Sequence, residues 1–585
     1  MSPAPAPLPS PDGKARRRLA ALLLLALGLR IAHFLYVRDA IVLEPRGYLD
    51  DAFYYRLAAL IAGGDLTAGT EAFFLPPLYA YFLGGLFALF RPGLDAPFLV
   101  QAVLGTLAVG LVYDAGRRAE GEAAGLIAGL LLALDGLAVM YGATLLAAAL
   151  DPFLSALFFW ALVRAITGSN NRDWALAGAA LGLFALNRPN ALLLLPAAAA
   201  LPFLWPRTIR WSVTFNRHSA LASATLVAAA LIAIAPFTIR NFLVSGRFTL
   251  ISSHGGLNFY IGNWEGANGA YSAPDWLEPD VRGQVEGARD RLSAELRRPV
   301  ADEEVSALLY RRAFDEIAAD RASARGWLRL MAAKARLLLA GREAGLNLSL
   351  GYMRAAFSPA LWLAPVGMWL LLPLGIAGAV AARRRRPALI VAGFALVFAF
   401  SVWVFFVSDR YRLPLHPPLA VLSGCGLAAV WEAVKKWRRG PRDEEAAAGP
   451  SPRRELSLYL CVLAVVGVFA AWPIGAPPGD GQMRLMHALR LVEDGRMGEA
   501  ETVAEGMPPG AMNPFFWRLK LARAYRAKDA SAAAEAEYRR LLKIDPASRE
   551  IGCELAGMLT GHGRDDEAKR LCPDLTRLPS PPEGR

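Results

Sequence analysis

Twelve stretches of largely apolar residues recur along this 585-residue chain, and no other feature constrains its fold as strongly. They lie near 19–37, 76–90, 97–114, 121–140, 143–166, 174–186, 190–205, 218–238, 359–381, 387–407, 413–434 and 456–474, with a weaker one near 327–340. A bilayer core takes a helix of about 20 apolar residues, so the pattern predicts an all-α polytopic membrane protein. Composition agrees: 55% of residues are hydrophobic and 19% charged, against about 25% charged in soluble domains. A soluble globule and a disordered chain are both excluded. The net charge of +12 points to arginine in cytoplasmic loops and not to nucleic acid, and only eight of the 63 cations are lysines.

The basic residues orient the spans. Arg16, Arg17 and Arg18 precede the first stretch, which is long, holds Arg30 and His33, and lacks a small-residue cleavage site. It reads as an uncleaved span after a cytoplasmic tail (1–18), within a membrane domain covering 19–475. Arg207, Arg210 and Arg217, the run Arg383–Arg386, and Lys435, Lys436, Arg438 and Arg439 mark the cytoplasmic face. Alternation then puts the surroundings of Arg188, the loop 240–325 and Ser408–Arg412 outside. Three apolar segments separate the loop 39–75 from Asp151, and if both of these lie outside, one of the three must be re-entrant or interfacial.

Residues 476–576 are amphipathic and charged, followed by a tail at 577–585. Ala488, Ala522 and Ala556 are spaced by 34 residues, as are Ala500, Ala534 and Ala568. With Leu521, Tyr525, Tyr538 and Pro546 this predicts two to three external helical hairpins of tetratricopeptide type, which usually bind peptides or partner proteins. Cys425, Cys461, Cys553 and Cys572 show no metal spacing, and no disulfide scaffold is indicated.

Four external elements carry candidate chemistry. The first, YLDDAFYYRLAALIAGGDL, sets Asp50 and Asp51 beyond the first span, with Tyr54 and Tyr55 following. A carboxylate walled by aromatics at the lipid boundary suits a general base, although a solvated loop with two acids reads the same way. The second runs from Pro236 to Pro274, with Arg240, His254, Asn258, Tyr260 and Asn263 among glycines and aromatics. Such side chains suit sugar hydroxyls and ring faces, and Arg240 suits a phosphate, or simply marks the membrane boundary. In the third, SDRYRLPLHPPL, Arg410, Tyr411 and Arg412 stand outside against the positive-inside bias. An anionic headgroup explains them, as does local neutralisation by Asp409. In the fourth, Asn187-Arg188-Pro189, Arg188 is either a buried charge near the site or a residue snorkelling to the interface.

In their order and spacing, LDDAFYY with IAGGDL, FFLPPLYAYFL, LNRPNALLLLP, PFTIRNFLVSGRF, ISSHGGLNFYIGN, ANGAYSAP and SDRYRLPLHPPL resemble the bacterial family 39, or protein-mannosyltransferase-like, enzymes of the glycosyltransferase C fold. The resemblance spans residues 15–435. It implies a glycosyltransferase C-type transmembrane helix bundle with external loops, carrying here a C-terminal α-helical repeat domain. It further implies transfer of a sugar from a polyprenyl-phosphate donor to a protein, glycan or lipid acceptor on the outer face of a bacterial inner membrane. Asp51 matches the family's catalytic base, three residues before the first tyrosine of YY, with Asp50 the fallback. Asp151 is the candidate second acid, and Arg240, Arg410 and Arg412 are the phosphate-facing cations. Inversion by single displacement follows; no cofactor is required, no metal site is read from the residues, and dependence on a divalent metal is left open. Competing classes are a transporter or flippase, a ligase of lipid-linked glycans, and a membrane scaffold working through its repeats.

Overall fold

The computed structural model describes residues 12–46, 50–168, 170–204, 216–274, 276–277, 281–320, 325–439, 452–472, 480–508 and 513–573. Arg207, Arg210 and the tail at 577–585 lie outside them. The chain is a helical, multi-pass membrane protein that divides into two compact units. The first holds Met1–Asp39, Pro45–Ala344 and Met353–Ile474; the second holds Ala40–Glu44, Gly345–Tyr352 and Gly475–Arg585.

In chain order the helices begin with α1 (Gly13–Val37), α2 (Asp50–Ala62), α3 (Leu78–Phe90), α4 (Asp95–Glu120), α5 (Glu122–Ala133) and α6 (Gly136–Tyr141). Then come α7 (Asp151–Thr167), α8 (Asn171–Asn187), α9 (Leu194–Leu204), α10 (Arg217–Ser245), α11 (Gly255–Asn263), α12 (Val281–Leu296), α13 (Asp302–Asp320) and α14 (Arg325–Leu338). The first unit closes with α15 (Leu350–Ala356, shared with the second unit), α16 (Met368–Ala381), α17 (Arg386–Val404), α18 (Asp409–Arg412), α19 (His416–Arg439) and α20 (Pro452–Ala471). Among the described residues six helices are long and apolar enough to cross a membrane by themselves: α1, α4, α10, α17, α18 running into α19, and α20. The weaker apolar segment near 327–340 is the 14-residue amphipathic α14.

Small residues let these helices approach closely, as packing in lipid requires. On α8, Gly178 and Gly182 sit one turn apart against α10, where a Cβ at Gly178 would stand 2.0 Å from the Leu226 carbonyl oxygen. Where α16 crosses α19, a Cβ at Gly426 would lie 2.2 Å from the Gly378 Cα.

Helix α3 packs along α2, so closely that a Cβ at Gly84 would lie 2.6 Å from the Ile61 Cγ2. Ion pairs fix the parity of the helices that follow. Arg385 in the basic turn between α16 and α17 meets Glu120 at the end of α4 at 3.0 Å, and Arg384 meets Glu455 at the start of α20 at 3.7 Å. Arg117 and Arg118 therefore belong to the end of the bundle that carries the Arg383–Arg386 run, where both pair with Asp114. If α3 is the segment that does not cross, alternation closes without a remainder.

In the second unit α21 (Gly481–Glu493), α22 (Met497–Glu505), α23 (Pro514–Ala527), α24 (Ser531–Ile544), α25 (Arg549–Thr560) and α26 (Asp565–Leu571) pair consecutively. All six alanines of the two 34-residue registers are buried, with Trp517, Tyr525 and Tyr538 among them. Helix α21 also holds the two short segments from earlier in the chain: Arg490 donates to the Glu44 carbonyl at 3.2 Å, and the Tyr352 hydroxyl meets His487 Nδ1 at 2.8 Å.

One expectation is corrected here. Cys553 on α25 and Cys572 just beyond α26 form a disulfide, with Cα atoms 4.8 Å apart. The antiparallel helix pair brings together residues whose spacing of 19 resembles no short cysteine motif.

Two expected outcomes follow. In a Cys461→Ser background, a membrane-impermeant maleimide should label Leu66→Cys and Ala119→Cys from opposite sides; labelling from one side contradicts the placement of α3. Cys553→Ser should lower the stability of the second unit by about 3 kcal/mol, as expected for a loop of this size, and dithiothreitol should reproduce the shift in thermal melting of the wild-type chain.

Candidate functional site

At the end of the bundle opposite the Arg383–Arg386 turn, segments from across the first unit converge on a cavity of about 520 Å³, five of them carrying most of its lining. These five are the start of α2, the stretch before α3, the link between α8 and α9, the start of α11, and the segment from the end of α17 through α18.

Asp50 lies in the first turn of α2, where the positive end of the helix dipole favours a carboxylate. Its Oδ2 accepts a hydrogen bond from Arg410 Nη1 at 2.6 Å, and both residues line the cavity. One turn on, Tyr54 is buried, donates to the Pro76 carbonyl at 3.4 Å, and meets Tyr79 edge-to-face at 5.1 Å. Asp51 does not line the cavity, and its charge acts on Tyr79 of α3. Tyr55 likewise faces away and packs on Phe87. Of the two neighbouring acids it is Asp50 that faces the cavity, because consecutive residues on a helix point about 100° apart.

Asp151 and Arg188 form the second carboxylate–guanidinium pair. Asp151 begins α7, with Pro152 in its first turn, and is fully buried. Arg188 grips it with two nitrogens, Nε at 2.8 Å and Nη2 at 2.6 Å from Oδ2, while Asn187 Nδ2 donates to its Oδ1 at 2.8 Å. Asp151 is absent from the cavity wall; it holds Arg188, which does line it. Arg188 is the buried-charge alternative of the two the sequence left open. Tyr411 lies between the two cations, with Arg188 5.1 Å and Arg410 5.2 Å from its ring centroid, and Arg188 Nη2 donates to the Arg410 carbonyl at 3.4 Å.

His254 and Asn258 line the cavity at the start of α11. The loop before α11 is tied to the segment before α3 by backbone bonds from Ser253 to Phe73 and from His254 to Phe74, and the Ser252 hydroxyl meets His254 Nδ1 at 3.1 Å. Burial pulls the His254 imidazole down to about 4, against an opposing pull from Asp50.

Four expected ligand-facing residues have other work. Arg240 donates to the carbonyls of Thr67, Ala68, Gly69 and Glu71 and lies over the Phe73 ring, so it clamps the loop after α2. Arg412 is buried and spends its nitrogens on Asp409 and on the carbonyls of Leu337, Ala340 and Arg342. Tyr260 donates to Glu316 beneath Arg312, and Asn263 ties Phe259, Val404 and the buried Lys334 together.

Several further cavity residues were not picked out as ligand-facing, although Asn190, Leu192, Leu193, Pro196 and Tyr271 lie within the motifs LNRPNALLLLP and ANGAYSAP. Tyr271 accepts from Gln284 at 3.2 Å, which leaves its phenol proton to donate, and burial pushes that phenol up to about 12. Asn190 donates to Ser401 at 2.8 Å. Leu192, Leu193, Pro196, Val402, Phe405 and Phe406 make one wall apolar. These positions lie in three segments far apart in sequence, and only folding joins them. Among the described residues no three His, Cys, Asp or Glu side chains cluster within reach of one cation.

Fold and site thus define a multi-pass helical membrane protein with one acid and two arginines facing a part-apolar cavity at one membrane surface. Residues 75–239, less than half of the chain, match the family model described as dolichyl-phosphate-mannose-protein mannosyltransferase, and the resemblance to protein mannosyltransferases holds over them. No curated protein matches the chain. Among solved structures it is similar to the oligosaccharyltransferase AglB from Archaeoglobus fulgidus in complex with an inhibitory peptide and a dolichol-phosphate, at 13% identity and a TM-score of 0.43 over 85% of this chain. The chain spans 60% of the length of that enzyme. It is also similar to ArnT from Cupriavidus metallidurans bound to undecaprenyl phosphate, at 16% identity and a TM-score of 0.31, over 78% of this chain and 88% of that one.

His254 carries a prediction with a definite sign. Its folded value lies near 4 and its ordinary value is 6.5, so the unfolded chain takes up the proton first. The stability it contributes is present above about pH 6.5 and is lost as pH falls from there toward about pH 4. Wild-type melting should therefore drop more steeply than that of His254→Gln between about pH 7 and about pH 5. Parallel curves contradict the neutral imidazole.

Proposed function

We propose that the chain is a membrane glycosyltransferase that moves a sugar from a polyprenyl-phosphate donor to an acceptor hydroxyl on the external face of the membrane, with Asp50 as the general base. One observation carries this reading: Asp50, Arg188 and Arg410 converge on a cavity that is otherwise lined largely by apolar side chains. The match of residues 75–239 to the mannosyltransferase model supports it.

The chemistry follows from the positions. The prenyl chain lies against the wall of Leu192, Leu193, Pro196 and Val402, and the phosphate faces Arg410 and Arg188. Tyr271, Asn258 and the neutral His254 offer hydrogen bonds to sugar hydroxyls. Asp50 accepts the proton of the acceptor hydroxyl as its oxygen bonds to the anomeric carbon. The bond from that carbon to the phosphate oxygen breaks, and its electron pair leaves with the polyprenyl phosphate. Attack opposite the leaving group inverts the anomeric centre. Charge grows on the phosphate as the bond breaks, so arginines already in place stabilise the transition state more than the ground state.

Sidedness has two supports within the second unit. Its Cys553–Cys572 disulfide belongs to an oxidising compartment, and it incorporates residues 40–44, which directly follow α1 on the face expected to be external. A bacterial inner membrane with the helical pairs on its outer side, acting as tetratricopeptide-like docking repeats for a protein acceptor or partner, fits both.

Asp50→Asn should lower transfer by about 10²- to 10⁴-fold, the range for losing a general base, while Asp51→Asn stays within a few-fold of wild type. The measurement is sugar release from a panel of labelled polyprenyl-phosphate donors by the purified chain. The opposite ranking returns the base to Asp51, and no turnover by the wild type with any donor removes the transferase reading.

A further inference from the structure

The base is held by the same cation that faces the leaving group. Asp50 Oδ2 is 2.6 Å from Arg410 Nη1, and a carboxylate oxygen engaged by a guanidinium is a poor acceptor for a hydroxyl proton. The other pair offers no such exchange. Asp151 is fully buried and gripped from three sides by Arg188 and Asn187, so it has no place to go. Asp50 differs in every respect: it is about a quarter exposed, lines the cavity, and touches Arg410 through a single nitrogen. Arg410 in turn has donors to spare. Among the described residues its Nε is buried without a hydrogen-bond partner, and Nη2 makes a long contact of 3.4 Å with the Tyr411 hydroxyl.

We infer that donor phosphate and Asp50 exchange places on Arg410, so that the base is armed by the donor and the acceptor binds second. The inference rests on the cavity being a polyprenyl-phosphate sugar site, as proposed above. Charge bookkeeping favours the exchange. A sugar phosphodiester carries one negative charge and Asp50 another. After transfer the leaving phosphate monoester carries two, and Asp50, now protonated, carries none. The total facing Arg188 and Arg410 is the same before and after, so the cations meet no net change in charge while the proton moves. The proton that Asp50 gains also abolishes its competing hold on Arg410, at the moment when the phosphate needs that cation most. A base that stays engaged until the donor arrives also guards against misdirected proton transfer at an unfilled acceptor site.

The test uses the full-length chain in detergent with undecaprenyl phosphate, which lacks the sugar and leaves the space over Asp50 open. Lipid binding is followed by native mass spectrometry, and the reactivity of Asp50 toward a water-soluble carbodiimide by peptide mass spectrometry. The expected result is slow labelling of Asp50 alone and labelling faster by several-fold once the lipid is bound. In Arg410→Gln, Asp50 should label fast from the start, with no further rise on adding lipid; if the glutamine variant fails to fold, the wild-type comparison with and without lipid decides by itself. Lipid bound with Asp50 labelling unchanged overturns the exchange and leaves the functional reading standing. Failure of the wild type to bind the lipid overturns the functional reading and the exchange with it.

Discussion

Two guanidinium groups share one aromatic ring at the membrane surface, and holding these like charges together is the constraint on which the rest of the site depends. Arg188 and Arg410 flank Tyr411, in surroundings that screen charge poorly. Each is tolerated because a carboxylate stands beside it: Asp151 from the start of α7 and Asp50 from the start of α2. Removing one partner of such a buried pair typically costs about 3–5 kcal/mol, because the other charge is left uncompensated. The two pairs are nevertheless unequal. One is buried and fixed, the other borders the cavity, and that asymmetry separates a structural ion pair from an exchangeable one.

The surrounding architecture serves this arrangement. Arg410 reaches the cavity from a four-residue helix whose flanks are pinned: Asp409 bonds to the Ala344 backbone in both directions, Arg412 binds three carbonyls, and Ser155 donates to the Pro414 carbonyl. Asp135 and His416, both fully buried, pair at the start of α19 just beyond. Preorganisation of this kind lets a cation act on a developing negative charge without reorganising first. Arg240 makes an equivalent contribution from outside the cavity, since its grip on the loop after α2 fixes the backbone next to Phe73 and Phe74.

Much of this was legible in the sequence, and the reasons for the misses are specific. Apolar run length predicted the helices, and arginine bias predicted which loops share a face. The same bias drew attention to Arg240, Arg410 and Arg412 together, yet only Arg410 faces the cavity. Residue type and sidedness are local properties, whereas the carbonyls that engage Arg240 and Arg412 come from segments about 70 to 170 positions away. Asp50 and Asp51 are equivalent in composition and differ only in helix register, which is set by how α2 lies against α3. The tie between Cys553 and Cys572 depends on the antiparallel pairing of α25 and α26. Asn190 and Tyr271 stand inside quoted motifs and Gln284 in none, and nothing local joins the three, because their common property is the space they enclose.

The account stands or falls on where a lipid phosphate settles. A density map of the full chain with a bound polyprenyl phosphate tests this most directly. The account predicts the phosphate within hydrogen-bonding distance of Arg410, the prenyl chain against Leu192, Leu193 and Val402, and the Asp50 carboxylate turned from the guanidinium toward the open cavity. A phosphate seated elsewhere, with Asp50 still on Arg410, would contradict it.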